Sequence, residues 1–250
     1  MQVVRVVKNQ PSRYNRVMEI KRLHDWELSA ADAIKLQLRL AVQISRIGQK
    51  LSPHYIAGVD VSVRRGEATA TGSVVVLSYP ELMVIETRTV RSPLNFPYVP
   101  GLLSFREMPI ILAAYEQLTI APDLVLVDGQ GIAHPRRMGI ASHLGLFLDR
   151  PTIGCAKSLL CGSHETPGNE PGDYAEIVDN NETIGAVLRT KTGVKPVYVS
   201  TGHRTSLPQA IEWVMKCCKG YRLPEPARLA HQSAKHSRLT NDREAAIAGA

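Results

Sequence analysis

Cysteine is scarce in this sequence. There are four, Cys155, Cys161, Cys217 and Cys218, and no Cys-x-x-Cys pair. That spacing excludes a zinc ribbon, and adjacent thiols at 217 and 218 make a poor disulfide framework. Reduced, buried thiols in a cytoplasmic protein are the better reading. Long apolar runs are missing too: none approaches the roughly 20 residues of a membrane span. The opening stretch MQVVRVVKNQPSRYNR has no apolar core and no small-residue cleavage site, so it does not read as a secretory signal. It is basic and acid-poor up to Glu19, which leaves an organelle address less firmly excluded. Internal repeats and low-complexity segments are also lacking.

What is present is an ordinary globular composition. The chain has 250 residues, 44% of them apolar, enough for a sizeable core. The net charge is +7, with basic residues spread along the whole length. This excess suits a polyanionic partner such as nucleic acid, and equally a basic enzyme of another kind.

Apolar spacing predicts an amphipathic helix over 28–47, N-capped by Ser29, with Ile34, Leu36, Leu38, Leu40, Ala41, Ile44 and Ile47 on its apolar face. Three strand-like runs follow at 55–63, 68–79 and 82–90, turned at Gly66 and Pro80-Glu81, as an antiparallel meander. Helices are predicted at 108–118 and 138–149, with short strands at 123–128 and 151–157. Residues 162–182 read as a surface loop, and a hairpin turned at Thr192-Gly193 comes next. A helix over 206–220 closes the pattern, with Pro208 in its first turn and Gly220 past its end. The expected class is α/β: a mixed sheet, the antiparallel meander followed by parallel strands, flanked by helices. The expected division is an N-terminal extension over 1–20, one catalytic domain over 21–235 and a disordered tail over 236–250.

Acids sit where a fold rarely wants them. Alternation puts Asp60 mid-strand, on the face shared with Ile56, Gly58 and Ser62. A carboxylate there is costly unless a cation or hydrogen-bond donors compensate it; a hydrogen-bonded acid at a sheet edge is the plainer alternative. Asp128 ends LVLVD just before Gly129 and Gly131, a place for ligands in α/β sheets, or simply an Asp-Gly turn. Glu107 follows Ser104 by three residues, so a capping box competes with a ligand role. Lys157 ends the next strand, and His134 precedes Pro135, Arg136 and Arg137, where a helix N-terminus would favour phosphate. Converging carboxylates would suit Mg²⁺. Spacing alone permits that convergence without requiring it.

Six stretches then match one family. GVDVS (58–62), PYVPGLLSFRE (97–107), LVDGQGIAHPRRMGIASHLG (126–145), GCAKS (154–158), STGHRTSLPQAI (200–211) and KGYRLPEPARLAH (219–231) occur in the order found in endonuclease V. The sequence resembles that family of deoxyinosine-directed repair nucleases, whose fold is ribonuclease H-like. The resemblance spans about residues 55–235. It implies that Asp60 and Asp128 are metal-binding, that Glu107 is the third acid, acting directly or through water, and that Lys157 lies near the scissile phosphate. His231 falls at a position that carries Asp or His, and His134 supports the site. The wedge Pro97-Tyr98-Val99-Pro100 departs from the family's Pro-Tyr-Ile-Pro by one methylene and would contact DNA, as would His134 and Arg136. A base pocket is implied around Gly101, Leu102, Leu103, Gly129, Gly131, Gly139 and Ile140.

The implied activity is Mg²⁺-dependent hydrolysis, with Mn²⁺ able to substitute, of the second phosphodiester 3′ to a deoxyinosine. It leaves 3′-hydroxyl and 5′-phosphate ends. The implied partner is DNA carrying deoxyinosine or other deaminated bases, met by a cytoplasmic monomer with no membrane contact. Three alternatives stay open: an inosine-directed endoribonuclease of the same family, a non-catalytic nucleic-acid-binding protein on the same scaffold, and a structure-specific nuclease with little interest in inosine. The second should have lost acids, and Asp60, Glu107 and Asp128 all persist.

Overall fold

Period-2 apolar runs and period-3.6 runs alternate along the chain, and the structure lays them down as one sheet between two layers of helix. This structure, a computed structural model, describes residues 19–64 and 66–248, the last eight as backbone. The N-terminal extension expected up to residue 20 therefore lies almost wholly outside the described residues. Strands β1 (Tyr55–Val63), β2 (Thr69–Ser78) and β3 (Val84–Pro93) form the antiparallel meander. Strand β4 (Leu124–Val127) runs parallel to β1, and β5 (Thr152–Ala156) parallel to β4.

The remaining strands, β6 (Tyr174–Asp179), β7 (Glu182–Leu188) and β8 (Val197–His203), are antiparallel again, giving the order β3-β2-β1-β4-β5-β8-β7-β6. The mixed ribonuclease H-like sheet is as expected, with its parallel part confined to the centre. Strand β6 was not foreseen: it falls inside the expected loop 162–182. Ile177 is its one fully buried residue, and apolar Tyr174 and Val178 lie on its exposed face, so no apolar alternation marks it.

Strand parity sorts the core. Ile56, Leu124 and Ile153 point to one face, where Trp213, Val214 and Ala230 cover them. Ala57, Val59, Val125 and Val127 point to the other, against Met108, Ile111, Tyr115, Ala141 and Leu144. The first face carries helices α4 (Leu207–Lys216) and α5 (Glu225–Ala248); the second carries α2 (Leu103–Tyr115) and α3 (Ile140–Leu148). Each fully buried aliphatic side chain contributes about 1.5–3 kcal/mol.

Helix α1 (Ala30–Ala41) starts as predicted, with Ser29 Oγ accepting from Asp32 N–H at 3.1 Å. It stops six residues short of the predicted end. Leu38 and Ile47 are exposed, so the apolar face is narrower than the sequence implied. Ahead of it, residues 20–28 lie on α3: Lys21 N–H donates to Phe147 O, and Trp26 stacks on Phe147.

Two other boundaries differ from expectation. Helix α2 begins at Leu103, five residues early, with no side-chain cap. Ser104 and Glu107 therefore both lie inside it, and the capping box does not form. Helix α5 continues to Ala248, through the segment expected to be a disordered tail. Its alanines and charged residues are good helix formers, so propensity carries it past its packed first turns. Among the described residues, no helix is long and apolar enough to cross a membrane.

Candidate active site

Parity also builds the site. Asp60, Asp128 and Lys157 each lie four residues beyond Ile56, Leu124 and Ile153, so each continues its strand on the α5 face. Val59 pairs with Val127, and Asp128 N–H donates to Val59 O at 2.9 Å, which sets the two aspartates side by side. Lys157, just past β5, reaches back so that its ammonium contacts Asp128 Oδ2. Helix α5 closes the cluster from above. His231 Nδ1 lies 2.7 Å from Asp60 Oδ2 and 3.3 Å from Lys157 Nζ.

Helix α5 can come this close because Gly58 has no side chain. A Cβ there would meet the Pro226 carbonyl oxygen at 1.8 Å. Pro226 lies in the first turn of α5, one and a half turns before His231.

Donor atoms of Asp60, Asp128 and His231 all lie within 4.8 Å of one another. Glu107 is not among these three. It approaches from α2, close enough to be felt: burial first, then the charge of Asp60, push its carboxyl up to about 8. Burial and the neighbouring Asp128 raise Asp60 to about 6, opposed by the hydrogen bond from His231. Two carboxylates crowded at this distance, with a third beside them, are compensated in part by Lys157. Two carboxylates and an imidazole fit a divalent cation of the Mg²⁺ or Mn²⁺ kind.

A cavity of about 320 Å³ opens beside this cluster. Asp128 and Lys157 form part of its wall, and so do Tyr98, Val99, Pro100, Gly101, Leu103, Gly129, Gly139 and Ile140. Two residues expected in the pocket are not there. Leu102 is fully buried under α1. Gly131 backs onto β8, where a Cβ would meet Thr201 O at 2.0 Å. Gly129 and Gly139 keep the wall thin: a Cβ on the first would strike Ile140 at 2.5 Å, and on the second Gln130 O at 2.3 Å. Gly101 adopts φ +79°, a left-handed turn that favours glycine.

At the mouth, Tyr98 is 72% exposed between exposed Pro97 and Pro100, while Val99 packs inward. His134 and Arg136 face inward as well. His134 is 3% exposed and its Nε2 donates to Gly101 O at 3.0 Å. Burial and the adjacent Arg136 charge lower its pKa to about 4, which keeps the ring neutral. Arg136 donates to the same carbonyl at 2.8 Å. Arg137 is held by Glu182 and Asp179. The phosphate role expected from this basic turn thus meets guanidiniums already engaged within the chain.

Sequence reasoning missed several wall residues. Ser104, Met138 and the Ser158-Leu159-Leu160 run all line the cavity, beside Gln130 of the expected 129–131 turn. Ser104 Oγ and Gln130 Oε1 are buried there without a hydrogen-bond partner. It also missed Gln37 of α1, a fully buried amide on an otherwise apolar helix face. A glutamine amid Leu36 and Leu40 was the available signal.

An endonuclease V family model matches residues 37–232. The chain belongs to the endonuclease V family. A relative of that name from Gloeobacter violaceus is 54% identical over 212 residues, covering 84% of this chain and 86% of that one. The crystal structure of endonuclease V from Bacillus subtilis superposes with a TM-score of 0.87 at 32% identity, covering 91% of this chain and all of that chain. The Ciona intestinalis endonuclease V, solved with a 24mer DNA containing an inosine followed by a ribo-adenosine, gives a TM-score of 0.73 at 29% identity. It covers 84% of this chain and 98% of that chain. The chain is accordingly a nuclease, and its described core superposes on that of the Bacillus subtilis structure.

Proposed function

We propose that this protein binds DNA carrying a deoxyinosine, takes the hypoxanthine into the glycine-walled cavity, and hydrolyses the second phosphodiester on its 3′ side. The observation that carries this reading is continuity: Asp128 and Lys157 belong both to the acidic cluster and to the cavity wall. The Ciona relative's complex with inosine-containing DNA supports the choice of base.

An inosine pair is weaker than a standard pair, so extruding that base costs less. The cavity offers it peptide edges between Leu103, Met138 and Ile140, with no room for a bulky substituent at Gly129 or Gly139. Tyr98, exposed at the mouth and stiffened by the prolines on either side, fills the space the base leaves.

Asp60, Asp128 and His231 would hold the divalent cation, Mg²⁺ with Mn²⁺ as substitute, and Glu107 would orient water beside them. When bound, that cation supplies Lewis-acid polarisation of the phosphate and lowers the pKa of a bound water. In the hydrolysis a water oxygen bonds to phosphorus and the P–O3′ bond breaks. A 5′-phosphate remains, and the departing 3′ oxygen takes up a proton. Lys157, half-exposed beside Asp128, stabilises charge that builds on the phosphate oxygens.

The test is a panel of matched oligonucleotides, deoxyinosine in DNA and inosine in RNA, each with Mg²⁺ and with the cut position mapped. Nicking of the DNA two bonds 3′ of inosine is expected. Preference for RNA would redirect the assignment, and no cut on either would end it.

A further inference from the structure

Gln37 touches neither the cavity nor the acids, yet it fastens two walls of the cavity together. Its Nε2 donates to Gly101 O at 3.1 Å and to Met138 O at 2.7 Å. Its Oε1 accepts from Arg136 Nε. All three hydrogen-bonding directions the side chain uses are thus directed at pocket-forming loops. Gly101 sits in the wedge loop and Met138 in the turn before α3, and both line the cavity.

The Gly101 carbonyl is the hub. It also accepts from Arg136 Nη2 and from His134 Nε2. His134 Nδ1 accepts from the Arg136 backbone N–H at 3.1 Å, so its proton sits on Nε2, facing Gly101. Three donors from α1 and the 134–136 turn therefore converge on one peptide oxygen. An unpaired amide in a fully buried position is costly. Gln37 escapes that cost only while both loops keep this spacing.

We infer that Gln37 is a positioning residue: it locks the wedge loop to the opposite pocket wall and so sets the width of the base slot before substrate arrives. This rests on the reading of the cavity as a base pocket. A side chain acting this way governs capture of the base and leaves the acids untouched.

The experiment uses the full-length protein, nicking kinetics on a deoxyinosine duplex, and amide hydrogen exchange. Gln37→Met keeps volume and removes every polar contact. It is expected to raise KM on the order of tenfold, with kcat at saturation within about threefold. Arg136→Met, altered at the accessible end of the same network, should give the same KM-weighted loss. The double variant should lose far less than the sum of the singles. Amides over 99–103 and 138–141 should exchange faster in Gln37→Met, while those of β1 and β4 keep their protection.

A fall confined to kcat, additive losses, or unchanged exchange over those two loops would overturn the inference. If the unaltered protein nicks no inosine substrate, the substrate reading fails on that result. The exchange measurement alone then decides whether Gln37 locks the loops.

Discussion

His231 Nδ1 lies 2.7 Å from Asp60 Oδ2, tying helix α5 to the central strand across 171 residues of sequence. Neither residue alone makes a site. Together with Asp128 they put two carboxylate oxygens and a ring nitrogen within 4.8 Å. His231→Ala is expected to weaken Mn²⁺ binding roughly ten- to a hundredfold, a range seen when groups around a metal are altered. Titration of the nucleic-acid-free protein with Mn²⁺ checks this, and equal affinity in both proteins would remove His231 from the site.

Asp128→Asn should reduce nicking by at least about a hundredfold at saturating Mg²⁺, on the scale of losing one strong electrostatic group at a reacting centre. The fold should survive, since Asn keeps the size of the side chain and β4 is held by its backbone. Far-UV circular dichroism and single-turnover nicking separate the two effects. An unchanged nicking rate would refute the assignment of Asp128.

The acids predict a stability that depends on pH in an unusual sense. Glu107 rises to about 8 through burial and the charges of Asp60 and Asp128, against Arg106. Asp60 rises to about 6 through burial and Asp128, against His231 and Lys157. Both values exceed those of an unfolded chain, near 4. From roughly pH 4 to 8 these two acids therefore hold protons the unfolded chain has released, and their contribution to stability falls as pH rises. Below about pH 6.5 the lowered pKa values of His134, His143, His24 and His203 pull the other way, so the acid effect stands alone above it: the metal-free protein should melt at a lower temperature at pH 8 than at pH 7. Glu107→Gln should flatten the upper part of that slope while impairing nicking. A melting temperature that climbs from pH 7 to pH 8 would contradict the burial of Glu107.

Much of this arrangement could be read from the residues, for a physical reason. Asp60 and Asp128 stand in apolar β-runs, where a charge is conspicuous, and their alternation assigns their face. Glu107 could not be placed the same way. Its Ser-x-x-Glu spacing mimics a cap, and only the helix start at Leu103 removes that reading. Met138 and Leu160 were invisible as pocket residues, and Gln37 as the tie between pocket walls, because their roles depend on loops meeting across the fold. Strand β6 hid because its exposed face carries Tyr174 and Val178, so residue type does not follow the alternation of burial.

Tyr98→Ala should raise KM for a deoxyinosine duplex and leave the melting temperature unchanged, because a side chain 72% exposed contributes little to the core. Competition binding against an undamaged duplex checks it. Equal preference for the lesion in both proteins would remove the wedge role.

Gly58→Ala should cost about 1–3 kcal/mol, the range for overpacking, since the new methyl meets the Pro226 backbone rather than a yielding side chain. Nicking should fall further than stability does, because α5 must shift and carries His231 with it. Thermal melts and nicking rates on the same preparation test this. A fully active variant would show that α5 tolerates displacement.

The glycine at 58 and the histidine at 231 also bear on when this chain becomes active. During synthesis at about 5–20 residues per second, β1 waits roughly ten to thirty seconds for the helix that completes its site. Until then the strand carries an acid without its partner, under an uncovered glycine groove. A chain cut short before residue 225 has every motif of the sheet and no lid on Asp60. Such a chain would hold Asp60 and Asp128 without the imidazole that completes the cluster, and is expected to bind a divalent cation more weakly than the full chain.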